Sequence, residues 1–250
     1  MKRKTFACLL LGALLGASAW AQTADELIEK NIQAKGGREK LKALNTLRLT
    51  GKMTMGQGME APFTMEMARP NKMRMEFTIQ GMTGIQAYDG QKGWLQMPFM
   101  GKKDPEEMPA DQVKVMEEQA DFDGILVDYK EKGHKVEYVG KDEMEGTPVH
   151  KLKVTKKSGD VNTIYLDAET FLELKVTSKT KMGDREIEGE TMLGDYKEVG
   201  GVVMAHSIEQ KAVGMPAGMV MTIQKVEVNP DLPADRFAMP KAEKPEAVKQ

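Results

Sequence analysis

The sequence predicts a mainly β protein with a few helices, in which short antiparallel strands form a barrel or a sandwich. Apolar and polar residues alternate along many short stretches, as they do in strands with one dry and one wet face. Turn dipeptides such as Asp89-Gly90 and Glu145-Gly146 separate these stretches at regular intervals. Helical spacing is confined to two places, so the pattern does not fit the alternating strands and helices of a parallel sheet.

The first 21 residues have the pattern of a secretory signal peptide. Basic residues occupy positions 2–4, positions 5–17 are almost all apolar or small, and Ala19-Trp20-Ala21 fits a small-x-small cleavage site. No other stretch approaches the roughly 20 apolar residues that a membrane-spanning helix needs. We therefore expect cleavage before Gln22 and a soluble chain in the periplasm.

The composition excludes several kinds of site and partner. The only cysteine, Cys8, lies in the signal segment, so the exported chain has no disulfide, thiolate metal site or cysteine nucleophile. The sequence has 36 Lys and Arg against 38 Asp and Glu, and the two signs are interspersed, so we expect no nucleic-acid partner. We expect a monomer with a single domain over residues 22–240 and a disordered tail over residues 241–250.

The exported chain begins with a helix. Thr23 and Glu26 have the spacing of a capping box, and apolar residues then recur at helical spacing until Gly36-Gly37. A short second turn over residues 38–44 leads into the first strand, where the period of the pattern changes from near four to two.

Two groups of strands follow, separated by a polar segment and a helix. Residues 101–112 are polar and open the helix, in which Val113, Met116 and Ala120 fall on one face. Residues 229–240 are expected to close the fold, with Phe237 as an anchor. The predicted strands cover residues 47–55, 63–67, 72–80, 84–89, 92–97, 134–140, 148–156, 161–167, 171–180, 185–196, 201–213 and 218–228.

Methionine is unusually frequent, with 21 residues in 250, and in the first half most of them lie on the dry side of alternating strands. Methionine is flexible and polarizable, so these residues fit three roles: ordinary core filling, the lining of an apolar ligand cavity, or thioether coordination of a soft ion such as Cu(I). The absence of histidine near the methionines in sequence counts against the third role. The candidate cavity residues are Leu49, Met53, Met55, Phe63, Met65, Met67, Met73, Met75, Phe77, Ile79 and Trp94.

No pattern in the sequence indicates catalysis. His134, His150 and His206 are far apart in sequence, and paired carboxylates such as Glu106-Glu107 stand in polar contexts typical of solvated surfaces. Hydrolase, metalloprotease, phosphate-loop and dinucleotide motifs are missing. We therefore expect a protein that is not an enzyme and that has no cofactor or metal ion.

Two loop tips are apolar, which is unusual for turns. Residues 97–101 and 214–219 both combine methionine with proline and glycine. Exposed apolar turns often mark an interaction site, so Phe99, Met100 and Met215 are candidates for contact with a membrane or a partner. The competing interpretation is that each tip folds back over an open end of the sheet as a lid.

Several turn and strand segments together carry a resemblance to a known family. They are Ala34 to Leu41 leading into Leu47 to Gly51, Gly133 to Glu137, Leu152 to Gly159, Tyr165 to Thr170, and Asn229 to Pro240. In their order the chain resembles the outer-membrane lipoprotein-sorting proteins, the LolA/LolB-like superfamily of periplasmic carriers.

The resemblance implies a curved antiparallel sheet that forms an open, half β-barrel covered by helices, with an apolar cavity that shields acyl chains. It implies a carrier that takes lipid or lipoprotein acyl chains from an inner-membrane releasing complex towards an outer-membrane acceptor. Because relatives of this fold also sense lipids, a lipid-responsive binding module without transfer activity fits the resemblance as well. The sequence is also compatible with a methionine-rich binder of a soft metal and with an enzyme of unrecognised type.

Overall fold

The computed structural model describes residues 23–56, 58–182, 185–213 and 218–240, and it contains one antiparallel sheet of 13 strands. The strand order is β6-β5-β4-β3-β2-β1-β13-β12-β11-β10-β9-β8-β7, so the sheet is open, with β6 and β7 at its edges. The strands are β1 Thr46–Met55, β2 Met59–Ala68, β3 Lys72–Ile79, β4 Met82–Tyr88, β5 Gly93–Met97, β6 Lys102–Glu107, β7 Lys135–Met144, β8 Thr147–Thr155, β9 Val161–Asp167, β10 Glu173–Met182, β11 Arg185–Val199, β12 Val202–Ala212 and β13 Met219–Val228.

Three α-helices accompany the sheet: α1 Ala24–Ala34, α2 Arg38–Lys42 and α3 Ala110–Gln119. The capping box at the start of α1 is confirmed, since the Glu26 N–H donates to Thr23 Oγ1 and the Thr23 N–H donates to Glu26 Oε2. With 13 strands and three α-helices in the described residues, the prediction of a mainly β protein with a few helices is confirmed. The predicted signal peptide and the predicted disordered tail lie outside the described residues.

The prediction that residues 101–112 open the helix is wrong in part, because β6 occupies Lys102–Glu107 and α3 begins only at Ala110. The strand is charged and contains Pro105, and it carries no alternation of apolar and polar residues. A strand at the edge of a sheet pairs on one side only, so solvated side chains and a missing N–H are tolerated there. An edge strand such as β6 therefore forms without the alternation of apolar and polar residues by which the other strands were predicted.

The helices pack on one face of the sheet, which we call the inner face, and they cover only part of it. Helices α1 and α2 and residues 121–134 bury Leu27, Ile32 and Leu41 against strands β8, β9 and β12 and the start of β1. Helix α3 buries Met116 against β3 and β4. The helical cover therefore lies over the sides of the sheet and over the strand ends near the β2–β3 turn.

Asp123 fastens this cover to the sheet. Its side chain is buried and accepts hydrogen bonds from Lys42 Nζ of α2, at 2.7 Å, and from Arg69 Nη1 just after β2, at 3.0 Å. Burial by itself would raise the pKa of Asp123, but the hydrogen bonds from Arg69 and Lys42 outweigh it and lower the pKa to about 2. One carboxylate thus joins α2, the β2–β3 turn and the segment after α3.

The opposite face, which we call the outer face, carries charges and the C-terminal segment. Glu66 is buried there between Arg48 and Arg236, whose hydrogen bonds outweigh the effect of burial and lower the pKa of Glu66. Phe237 is buried as an anchor, and its carbonyl accepts a hydrogen bond of 2.9 Å from Trp94 Nε1. The closing role predicted for residues 229–240 is confirmed.

A bulge at Gly51 keeps the apolar residues of β1 and β13 on one face. Thr50 lies opposite Lys225 but Gly51 lies opposite Ile223, so Gln224 is an extra residue in β13. The backbone approaches so closely that a Cβ on Gly51 would meet the Thr222 carbonyl oxygen at 2.0 Å. Only glycine fits at this position.

Replacement of this glycine should destabilise the sheet. We expect Gly51→Ala to lower the free energy of unfolding by at least about 2 kcal/mol, since overpacking against a backbone atom cannot relax through a side chain. Urea unfolding followed by circular dichroism measures the change. Gly194→Ala is the control, because a Cβ there has no atom within 4 Å, and equal losses in both variants would contradict the steric explanation.

The low pKa of Asp123 makes stability depend on pH. Since its pKa in the folded state is about 2 against 3.8 for the free group, ionised Asp123 stabilises the fold above pH 3.8 by about 2 kcal/mol. This contribution is lost as the pH falls through 3.8 towards 2. We expect Asp123→Asn to be less stable than the wild type at pH 6 by about this amount, with the difference vanishing near pH 2.

Urea unfolding between pH 2 and pH 6 tests this expectation. The exposed Asp104→Asn variant should follow the wild type throughout. A constant difference between wild type and Asp123→Asn over the whole range would show that the carboxylate acts through packing and not through its charge.

Candidate functional site

One apolar cluster on the inner face is built from strand residues alone, and we call it the strand patch. It lies on β1, β2, β3, β12 and β13, towards the ends where the β1–β2 and β3–β4 hairpins turn. No α-helix of the described chain contributes to it, and the one contact from helical backbone is that of Phe99, in the short 3-10 turn Pro98–Met100, with Phe77. Its members are Leu49, Met53, Met55, Ala61, Phe63, Met65, Met75, Phe77, Ile79, Ile208, Met219, Met221, Ile223 and Val226.

The register of the strands explains why these residues meet. Met53 lies opposite Ala61 of β2 and Met221 of β13, and residues directly opposite one another in antiparallel strands share a face. The same holds for Phe63 and Phe77 on β2 and β3. The alternation seen in the sequence therefore becomes one continuous apolar surface across five strands.

The structure divides the predicted cavity residues into groups. Leu49, Met53, Met55, Phe63, Met75, Phe77 and Ile79 belong to the strand patch alone. Met65 lies between the patch and the cluster under α3, whereas Met73 is buried in the α3 cluster and Met67 packs against both helical clusters. Sequence alternation could not separate these groups, because it gives the face of a residue and not the element that covers it.

The prediction that Trp94 lines the cavity is wrong, because Trp94 lies on the outer face. It is opposite Ala87, which is opposite Arg74, so all three point away from the strand patch. The ring is buried, with the Arg74 guanidinium 5.3 Å from its centre. Strand β5 has apolar residues at Trp94, Leu95 and Met97, so the sequence did not show which face the indole would occupy.

A pocket of about 580 Å³ opens at the hairpin end of the patch. Its walls are Met55, Met59 and Ile79, and Gly56 and Gly58 of the β1–β2 turn complete it. The volume is in the range of cavities that hold small apolar ligands. We call this opening the mouth.

The tips around the mouth are apolar and partly exposed. Met59 is 49% exposed, Met82 at the β3–β4 turn is 38% exposed and Met100 is 70% exposed. Phe99 instead folds back onto the inner face, where its ring centre is 5.7 Å from that of Phe77. Of the residues predicted for external contact, Met100 is exposed, Phe99 acts as a partial lid, and Met215 lies outside the described residues.

The titratable residues singled out in the sequence are not brought together. Glu106 pairs with Lys102 and Glu107 with Lys92 on the surface. His150 is buried, and burial lowers its pKa; its ring stacks on Phe171 and its Nδ1 lies 3.1 Å from the Tyr138 hydroxyl. Within the described ranges, no group of three or more His, Cys, Asp or Glu side chains could hold a metal ion.

None of the helices in the described ranges is long and apolar enough to cross a membrane. No family model matches the sequence, and no curated protein is significantly similar to it.

Solved structures do resemble the fold. A LolA superfamily protein from Nitrosomonas europaea matches with a TM-score of 0.58 at 11% identity, over 87% of this chain and 98% of that one. An outer-membrane lipoprotein-sorting protein domain from Vibrio parahaemolyticus matches with a TM-score of 0.57 at 13% identity, over 84% and 97%. A DUF1329 family protein from Desulfovibrio piger matches with a TM-score of 0.61 at 10% identity, over 85% and 96%.

These likenesses show the fold. The chain has the LolA-like architecture of a curved, open antiparallel sheet with helices on one face, which confirms the fold predicted from the resemblance. At identities of 10 to 13%, a shared fold does not identify the ligand. The residues of the strand patch are therefore the basis for any proposal about the ligand.

Proposed function

We propose that this protein is a periplasmic carrier that holds lipid, or the acyl chains of lipoproteins, on the strand patch and moves them towards the outer membrane. The observation that supports the proposal is an apolar surface on the inner face that has no α-helix over it in the described chain and that leads to an open mouth. The similar Vibrio protein is described as lipoprotein-sorting, which agrees with this role.

The physical demand on a carrier is to shield an acyl chain from water. Each CH₂ transferred from water is worth about 0.8 kcal/mol, so a chain of about sixteen carbons costs on the order of 12 kcal/mol when exposed. The patch offers side chains from five strands, without helix contacts that would have to be broken first. The pocket at the hairpin end can shield the first part of a chain, and a longer chain is shielded where buried side chains such as Met53 and Met221 move apart.

Methionine suits a lining that must fill and empty. Met53, Met55 and Met65 combine flexible side chains with polarizable sulfur, so they can pack on one another when the patch is empty and move aside for a chain. Branched residues would hold one shape and would leave voids around a ligand of variable length. The lining thus favours ligands with a common apolar character and no fixed outline.

The mouth gives the ligand a direction. An acyl chain that passes between Met55 and Ile79 leaves its polar end at the partly exposed tips, where Met59 and Met82 stand. The signal sequence would bring the chain to the periplasm, and the lack of an anchoring cysteine in the exported part suits a soluble carrier that acts without a cofactor and without catalysis. Uptake, shielding and release require no bond to be made or broken.

Polar residues at the mouth should weaken lipid binding. We expect the double variant Met55→Gln and Ile79→Gln to weaken lipid binding at least about tenfold, because each lost apolar contact removes about 1 to 2 kcal/mol. Native mass spectrometry of protein purified gently from the periplasm, followed by lipid analysis after denaturation, measures what is bound. The wild type should carry lipid or acylated peptide, and the variant should carry less of it.

The matched control changes the neighbouring residue on each strand. Thr54→Gln and Thr78→Gln are equally half-buried and point to the outer face, so this pair should bind lipid as the wild type does. A wild type that has no bound lipid and takes up no fatty acid or lipopeptide would contradict the cavity. Binding without transfer between donor and acceptor vesicles would indicate a lipid-responsive module instead of a carrier.

Ligand binding should also protect particular methionines from oxidation. With dilute hydrogen peroxide we expect Met55 and Met59 to oxidise at least about threefold more slowly in the lipid-loaded protein than in the empty protein. Met100, which is exposed and outside the pocket, should oxidise equally fast in both states. Peptide mass spectrometry gives both rates, and uniform protection of all three residues would place the lipid elsewhere.

A further inference from the structure

Three methionines on adjacent strands lie side by side at the hairpin end of the strand patch. Met55 near the end of β1 is directly opposite Met59 of β2 on one side and Met219 of β13 on the other. Residues directly opposite in antiparallel strands have Cβ atoms about 5 Å apart. We call these three residues the mouth methionines.

The side chains can bring their sulfur atoms together. All three project from the inner face, and methionine has three rotatable bonds with which to aim its sulfur. The next row of the same face consists of Met53 and Met221, which are only 2% and 5% exposed. This row forms an apolar floor beneath the mouth methionines, so their sulfurs have space on the solvent side only.

A site with three thioethers has a defined metal preference. Thioether sulfur is a neutral, soft ligand that selects Cu(I), whereas Mg²⁺, Ca²⁺ and Mn²⁺ require oxygen ligands. The exported chain has no cysteine, so no thiolate competes for a soft ion. Because Met59 is half exposed, the single positive charge of the ion would remain near water and its desolvation would be incomplete.

We infer that Met55, Met59 and Met219 form a binding site for a soft monovalent ion, Cu(I), at the mouth of the apolar patch. The sequence counted against such a site because no histidine stands near the methionines. The register of β2, β1 and β13 instead places three methionines in one row, two from the β1–β2 hairpin and the third more than 150 residues further along the chain. The site is independent of the lipid proposal, since it needs the three sulfurs alone.

The first experiment uses Ag(I), which has the ligand preference of Cu(I) and no redox chemistry under these conditions. The probe is added to delipidated mature protein whose methionine methyl groups carry ¹³C, and NMR with native mass spectrometry follows binding. We expect one equivalent of Ag(I) to bind, with methyl shifts concentrated on Met55, Met59 and Met219. This result does not depend on any variant.

Conservative variants test the ligands one by one. Met→Leu at residues 55, 59 or 219 keeps an apolar side chain of similar volume but removes the sulfur. Removing a residue that only supports a metal ligand typically weakens metal binding 10- to 100-fold. Because each of the three methionines would be a direct ligand, each change should weaken Ag(I) binding at least about tenfold. Met82→Leu and Met100→Leu, which remove exposed methionines outside the trio, should leave the affinity unchanged.

The outcomes separate this inference from the carrier proposal. If the wild type binds no lipid but binds Ag(I) at the three sulfurs, the carrier proposal fails and the metal site stands. Methyl shifts spread over Met82 and Met100, or binding that survives all three leucine changes, would overturn the metal site. Anaerobic competition with a Cu(I) chelator then confirms the ion, and failure of the protein to compete would also overturn it.

Discussion

The structure depends on one constraint, which is that a long antiparallel sheet has an apolar inner face larger than its helices can cover. Helices α1 and α2 and the segment after α3 cover one side, and α3 covers part of the other. Between these two covered regions lies the strand patch, whose side chains come from strands and are buried by contact with one another. An apolar surface that is ordered and lacks a helical cover is the feature from which the binding proposals follow.

The two faces of the sheet differ in how they are held. On the inner face the contacts are apolar and adaptable, with methionines in directly opposite pairs on β1 and β13. On the outer face Glu66 is held between Arg48 and Arg236, and Phe237 is fixed by the hydrogen bond from Trp94. Charge-assisted contacts have a narrow geometry, so the outer face is a rigid support. The inner face can then repack without loss of the fold.

Fixed points at the ends of the sheet determine where the opening lies. Asp123 ties α2 and the β2–β3 turn together, which keeps the helical cover at the closed end. At the opposite end Gly56 and Gly58 of the β1–β2 turn line the mouth together with Met55, Met59 and Ile79. The same opening carries the three methionines in register, so a lipid chain and a soft ion would meet the protein at one place.

The sequence by itself determined the strand-rich class, the capped first helix, the anchor at Phe237 and the face of most methionines, because these depend on local period and turn chemistry. It could not reveal the edge strand β6, since an edge strand needs no alternation, or the face of Trp94, since β5 is apolar on both sides. The tertiary structure alone decided which apolar residues lie under helices and which stay in the strand patch. It alone brought Met219 beside Met55 and Met59, because the pairing of β1 with β13, which are far apart in sequence, leaves no trace in the local pattern.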